Sequence, residues 1–257
     1  MDPTVNEYLH LLFRWTHLIA GVMWIGHLWF FNFVNAQLVK TYDADSKKKV
    51  VPELMPRALY FFRWGAAYTW ITGFLLLGVV YYMGGVMDSK VGGNGAAIGI
   101  TFTSLLVGFV VYDQLVKNVK DEMVAGGIGF ALLVAYAFAI SRVVGGRAMV
   151  MHVGALLGTI MAGNVWMRIW PAQRKIIGGI KGTSPAPDPS VAATAGLRSK
   201  QNTYLAMPLM FTMVANHFPS VYGNDFAWAI TSVFVLLGWG IAKFLYTKSA
   251  SPAAASF

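Results

Sequence analysis

The chain has 257 residues, of which 56% are hydrophobic and only 12% charged, and its mean hydropathy is +0.55; this balance excludes an ordinary soluble domain, in which about a quarter of residues are charged. The formal net charge of +9 is scattered over short connections rather than gathered into one dense patch, so no nucleic-acid partner is expected. Cysteine is absent, which excludes disulfides, thiolate metal sites and covalent attachment of a c-type haem. The apolar residues come in blocks of about 20 or more without period-two alternation, so helices rather than barrel strands satisfy the backbone in lipid. The expected fold is an all-α integral membrane protein, a bundle of about seven transmembrane helices. The first 30 residues lack the features of a cleaved signal peptide, so the first helix is expected to serve as its own insertion signal.

In chain order the apolar stretches are Tyr8–Val39, Ala58–Gly84, Ala96–Val116, Met123–Val144, Ala148–Trp170, Thr203–Val221 and Phe226–Tyr246. The first is longer than a crossing needs and is expected to leave the membrane as a tilted or amphipathic end near Asn32–Val39. Ile176–Gln201 is the longest polar separation, and its SPAPDPS run reads as a flexible loop. Residues 1–248 are expected to form one transmembrane domain and residues 249–257 a flexible tail. Asp113, Asp121 and Glu122 are read as solvated residues at inner helix ends. Sixteen of the 20 Lys and Arg residues fall on one side, against four on the other, namely Arg14, Lys90, Arg142 and Arg147. The positive-inside rule therefore puts the N-terminus outside and the C-terminus in the cytoplasm.

Ionisable side chains inside a bilayer are functional candidates, which singles out the five histidines. His10, His17 and His27 fall on the first expected helix, His152 on the fifth and His217 on the sixth. At about 1.5 Å per residue, His17, His152 and His217 each lie on the order of 7 to 10 Å from a helix midpoint toward the outer face. His10 shares the face of His17 about 10 Å further out, whereas His27 points roughly 80° away, in the inner half. Imidazoles at one depth on separate helices suit the axial positions of a b-type haem, and His17, His152 and His217, with His10 beside them, are the candidate ligands. Gly21, Gly154, Gly158 and Ala162 offer clearance for a flat cofactor, while Arg14, Arg142 and Arg147 are candidates for pairing with its propionates. Three imidazoles also suit copper or zinc, and lone membrane histidines and small-residue stripes also serve plain helix packing.

Three segments carry a family likeness: RWTHLIAGVMWIGHLWFFNFVN from Arg14 to Asn35, HVGALLGTIMAGNVWMRIWPAQRK from His152 to Lys175, and RSKQNTYLAMPLMFTMVANHFPSVYG from Arg198 to Gly223. Together they resemble the membrane domain of the bacterial membrane-bound urate oxidase (urate hydroxylase) family, most closely in GTIMAGNV, PAQRK and NHFPS. The resemblance implies oxidation of urate to 5-hydroxyisourate, with electrons leaving through a cytochrome c. Full-length members carry a further helix and a C-terminal cytochrome c domain, which this cysteine-free chain is expected to lack. Gln201, Asn202, Thr203 and Tyr204 stand where the family carries a His-Asn-Asn-Tyr run, and His27 stands where a small residue is common. The expected function is a membrane-embedded b-haem redox protein, related to urate hydroxylase and passing electrons to or from a periplasmic cytochrome c or a membrane redox complex. Two alternatives are a non-catalytic accessory subunit of a larger respiratory or membrane complex, and a membrane protein binding a non-haem metal.

Overall fold

A computed structural model describes residues 3–251, and these are helical, with no strand among them. The helices are α1 (Pro3–Thr41), α2 (Ala44–Tyr82), α3 (Asn94–Asn118), α4 (Glu122–Ser141), α5 (Gly146–Lys181), α6 (Pro189–Ala215), the short α7 (Pro219–Tyr222) and α8 (Ala227–Ser249). Six of them, α1 to α5 and α8, are long and apolar enough to cross a membrane. Several such helices in one chain are what a multi-pass membrane protein presents. Positions 252–257 of the expected tail lie outside the described residues.

Two expectations about connections are revised. The loop expected across Ile176–Gln201 shrinks to residues 182–188, because helix-ending and helix-starting signals sit closer together than composition suggested. Gly182 adopts a left-handed conformation (φ 74°) that closes α5, and Thr183 N–H bonds the Gly178 carbonyl at 3.0 Å. Asp188 then caps α6, its Oδ1 accepting the Ser190 N–H at 2.8 Å ahead of Pro189 at the first helical position. The stretch expected as a sixth crossing, Thr203–Val221, is not one helix. It forms the C-terminal half of α6, which stops at Ala215, and a separate turn at α7. Pro219 pushes Phe218 into an extended conformation, φ −117° and ψ 97°, which interrupts the winding. The polar first half of α6, with Arg198, Lys200, Gln201 and Asn202, dilutes its hydropathy.

Asp113 also departs from expectation: it is 4% exposed rather than solvated and forms an ion pair with Lys117 at 2.8 Å one turn on. Asp121 is the N-cap of α4, accepting the N–H groups of Met123 and Val124 at 2.8 and 2.9 Å.

The residues group into two compact units, each drawing on several helices. The first comprises Met1–Arg14, Gly73–Ile160 and Ala206–Trp239; the second comprises Trp15–Thr72, Met161–Leu205 and Gly240–Phe257. Within the first, small residues let helices approach, as expected where lipid removes the hydrophobic drive to associate. A Cβ on Gly108 of α3 would collide with Leu156 of α5, one on Gly154 of α5 with Thr212 of α6, and one on Gly238 of α8 would come within 2.9 Å of Pro208 Cδ on α6. Leu105, Val144, Met149, Val150 and Val153 fill the core of this unit.

Within the second unit, Gly65 of α2 admits the Trp24 backbone of α1, which would lie 3.1 to 3.2 Å from an added Cβ. Trp24, Leu28, Leu59, Phe62 and Ala66 are buried around that crossing. Polar bonds tie the rest. Asn32 donates to Ser199 Oγ at 2.8 Å and accepts from the Tyr246 hydroxyl at 2.9 Å, while Asn164 donates to Asn202 Oδ1 at 2.8 Å. Three helices pass through a π-helical stretch: Phe30–Asn35 in α1, Leu77–Tyr82 in α2 and Val165–Ile169 in α5. Such widened turns recur at functional sites, and here they carry Asn32, Tyr81 and Tyr82.

Candidate functional site

In the second unit, His17 is half-buried on α1 and faces Thr72 of α2, with Nδ1 at 3.1 Å from Thr72 Oγ1. The Thr72 hydroxyl donates back to its own helix, to the Tyr68 carbonyl at 2.6 Å, so toward His17 it acts as the acceptor. That assigns the ring proton to Nδ1, and the imidazole also meets the Thr69 backbone. A metal-ligating imidazole is held in this way, with one nitrogen donating to a supporting group and the other turned to the ion. Gly21, one turn later, leaves ordinary contact distance to Thr69, 3.9 Å from an added Cβ.

The other three outer-level histidines lie in the first unit and differ sharply in setting. His152 is fully buried. Its Nδ1 donates to the Ala148 carbonyl at 2.7 Å, and its Nε2 lies 3.2 Å from the Tyr82 hydroxyl, whose ring stacks on the imidazole at 5.8 Å. Both nitrogens are thus engaged, and ligation through Nε2 requires Tyr82 to turn away. His10, by contrast, has a buried Nε2 with no hydrogen-bond partner, a costly state for a lone imidazole nitrogen and one that a ligand would relieve. His217 sits in the turn between α6 and α7 and is exposed, because the helix expected to carry it ends at Ala215. In the second unit, His27 is satisfied locally, with Nδ1 bonded to the Met23 carbonyl at 2.7 Å and its ring stacked on Phe61 at 6.0 Å.

Among the described residues, no group of three or more His, Asp or Glu side chains is placed to hold a metal ion. The small-residue stripe beside His152 is also not an open slot, since the space at Gly154 is taken by Thr212 and by Met213, whose Cε lies 3.0 Å from an added Cβ.

The three arginines expected to meet propionates separate by role. Arg14 is exposed, and Arg142 is exposed with its guanidinium over the Phe138 ring at 4.9 Å. Arg147 turns inward, where Nε donates to Asn216 Oδ1 at 3.0 Å, and the same oxygen accepts the Tyr81 hydroxyl at 2.8 Å. The Tyr81 ring in turn lies 6.4 Å from His152. Thr72, Tyr81, Tyr82 and Asn216 were not singled out by sequence reasoning. Each acts through a partner 55 or more positions away, and no periodicity carries that separation.

The family model described as urate oxidase N-terminal matches residues 3–257. No curated protein sequence and no solved structure matches the chain.

Proposed function

The chain belongs to the urate oxidase N-terminal family, and from that premise we propose that it is a membrane-embedded oxidoreductase module of urate oxidation that binds a b-type haem through His17 of α1. The observation that carries the reading is His17, whose Nδ1 is fixed by Thr72 at 3.1 Å, the way a supporting group holds a ligating imidazole. Bound there, haem supplies reversible one-electron transfer. The protein's own group orients the imidazole: Thr72 holds His17 and sets its tautomer.

The electron partner is a periplasmic cytochrome c or a second membrane redox complex, reached from the side that the Lys and Arg distribution assigns to the outside. The test is spectroscopic. Protein purified in mild detergent after expression with haem supplied is expected to show a reduced α-band of six-coordinate b haem and a positive pyridine haemochrome assay. His17→Ala is expected to abolish that band. A colourless wild type would overturn the haem reading and leave the accessory-subunit role.

A further inference from the structure

A cleft of about 350 Å³ in the first unit has no part in the haem reading. Asp88, Lys90, Gly145, Arg147, Asn224 and Asp225 line it, drawn from the loop after α2, the α4–α5 turn and the α7–α8 connection. Two backbone bonds hold the loop to the turn, Gly145 N–H to the Met87 carbonyl at 3.1 Å and Lys90 N–H to the Val143 carbonyl at 2.9 Å. Asp88 takes a left-handed conformation (φ 48°), and a Cβ on Gly145 would come within 2.6 Å of its carboxylate. At Gly146 a Cβ would collide with the Tyr222 carbonyl oxygen. Glycine at both positions is thus what lets the cleft form.

Its lining offers donors and acceptors side by side. Arg147 gives Nε to Asn216 and also hydrogen-bonds the Tyr81 side chain, and a guanidinium with five N–H groups keeps others for a ligand. Lys90 bonds the Ser141 carbonyl at 2.9 Å through one of its three N–H groups. The carboxylates of Asp88 and Asp225 take part in no hydrogen bond or ion pair among the described residues. A pair of haem propionates would meet repulsion from those carboxylates, and a porphyrin is too large for the space. A ligand that alternates C=O and N–H around a small ring satisfies both sets, with its carbonyls or ring anion on Arg147 and Lys90 and its N–H groups on Asp88 and Asp225.

We infer that this cleft binds an oxopurine or a ring-opened relative of one, held by Arg147 and Lys90 on its acceptor edge and by Asp88 and Asp225 on its donor edge. The choice of an oxopurine rests on the urate-family reading above, whereas the donor and acceptor pattern comes from the cleft itself. From the bound ring, Arg147, Asn216 and Tyr81 form a hydrogen-bonded line toward His152, so occupancy of the cleft is felt beside that buried imidazole.

Equilibrium dialysis of the full chain in detergent against labelled urate tests the assignment. Wild type is expected to bind saturably, with hydantoin competing and benzoate, an anion without ring N–H groups, not competing. Asp225→Asn, Asp88→Asn and Arg147→Gln are each expected to weaken urate binding about tenfold or more, and the two aspartate variants to leave any haem spectrum unchanged. Should Arg147→Gln lose its melting transition, the exposed and unpartnered Asp225 carries the test alone. Absence of urate binding by wild type, unchanged binding in Asp225→Asn and Asp88→Asn, or competition by benzoate equal to hydantoin would overturn the inference. Cleft-dependent urate binding by a colourless protein would keep it while removing the haem reading, and the reverse pattern would do the opposite.

Discussion

Thr72→Val replaces one hydroxyl by a methyl of nearly the same volume and leaves the α1–α2 contact otherwise filled. Thr72 is 6% exposed, and its Oγ1 both donates to the Tyr68 carbonyl at 2.6 Å and accepts from His17 Nδ1 at 3.1 Å. The Tyr68 carbonyl sits within a continuous helix, so the cost to folding is about 0.5–1.5 kcal/mol. His17 loses more, because its proton is no longer confined to Nδ1 and its ring is no longer held. Groups that support a ligating histidine in this way typically account for about 10–100-fold in affinity for the bound centre, or about 1.4–2.7 kcal/mol. Titration of haem into apoprotein, followed at the Soret band, should show that loss in Thr72→Val and its recovery in Thr72→Ser, which keeps the oxygen. Wild-type titration of Thr72→Val, or an equal loss in Thr72→Ser, would refute the role given to this hydroxyl.

Other substitutions probe the rest of the structure. Asn216→Ala strands the Tyr81 hydroxyl and the Arg147 Nε together and is expected to cost about 2–4 kcal/mol, read as a lower melting temperature in detergent, while Asn224→Ala at an exposed position of the α7–α8 connection should leave it nearly unchanged. Gly154→Ala pushes a methyl into Thr212 and Met213 and should destabilise by about 1–3 kcal/mol; Gly126→Ala on α4, with nothing within 4 Å of the new Cβ, should instead gain up to about 1 kcal/mol from helix propensity. Hydrogen bonds from the Ser190 hydroxyl and backbone N–H hold the Asp188 carboxyl below the usual carboxylate range. Because the folded value is depressed, the cap is complete above the ordinary carboxylate range and is lost as pH falls through the folded value. Amide exchange at Ser190 and Val191 should accelerate over that acid interval, and Asp188→Ala should show the faster rate already at neutral pH.

Hydropathy alone located the crossings of α1 to α5 and α8, because blocks of about 20 apolar residues have few other uses. It misplaced the two ends of α6. Asp188 and Pro189 begin that helix inside a run that composition marks as loop, and Pro219 ends it inside a run that composition marks as membrane. Depth counting put His17, His152 and His217 on a common level, yet depth says nothing of what meets each ring nitrogen. Thr72 meets Nδ1 of His17, whereas Tyr82 occupies Nε2 of His152. His10, ranked behind them by sequence, proved to hold the unpartnered nitrogen. The cleft escaped sequence reading for a simpler reason: Asp88 and Asp225 stand in separate connections and Arg147 in the first turn of α5, and none belongs to a motif.

A π-helical turn holds one residue more than the α-helix around it, and each residue of an α-helix advances the winding by about 100°. The stretch Phe30–Asn35 therefore acts as a phase adjuster within α1. Upstream, the angular position of His17 is tuned to α2; within the stretch, the widened winding lets Asn32 meet Ser199 and Tyr246 at once. The same holds for Leu77–Tyr82, which lets a long, mostly α-helical rod present Tyr81 and Tyr82 to different partners, Asn216 and His152. Deleting one residue from either stretch would rewind it as plain α-helix and rotate everything on one side by most of a third of a turn. In lineages of this fold, insertions and deletions inside the membrane helices should accordingly collect at these widened turns, where length can change by one residue while a hydrogen-bonded helix persists.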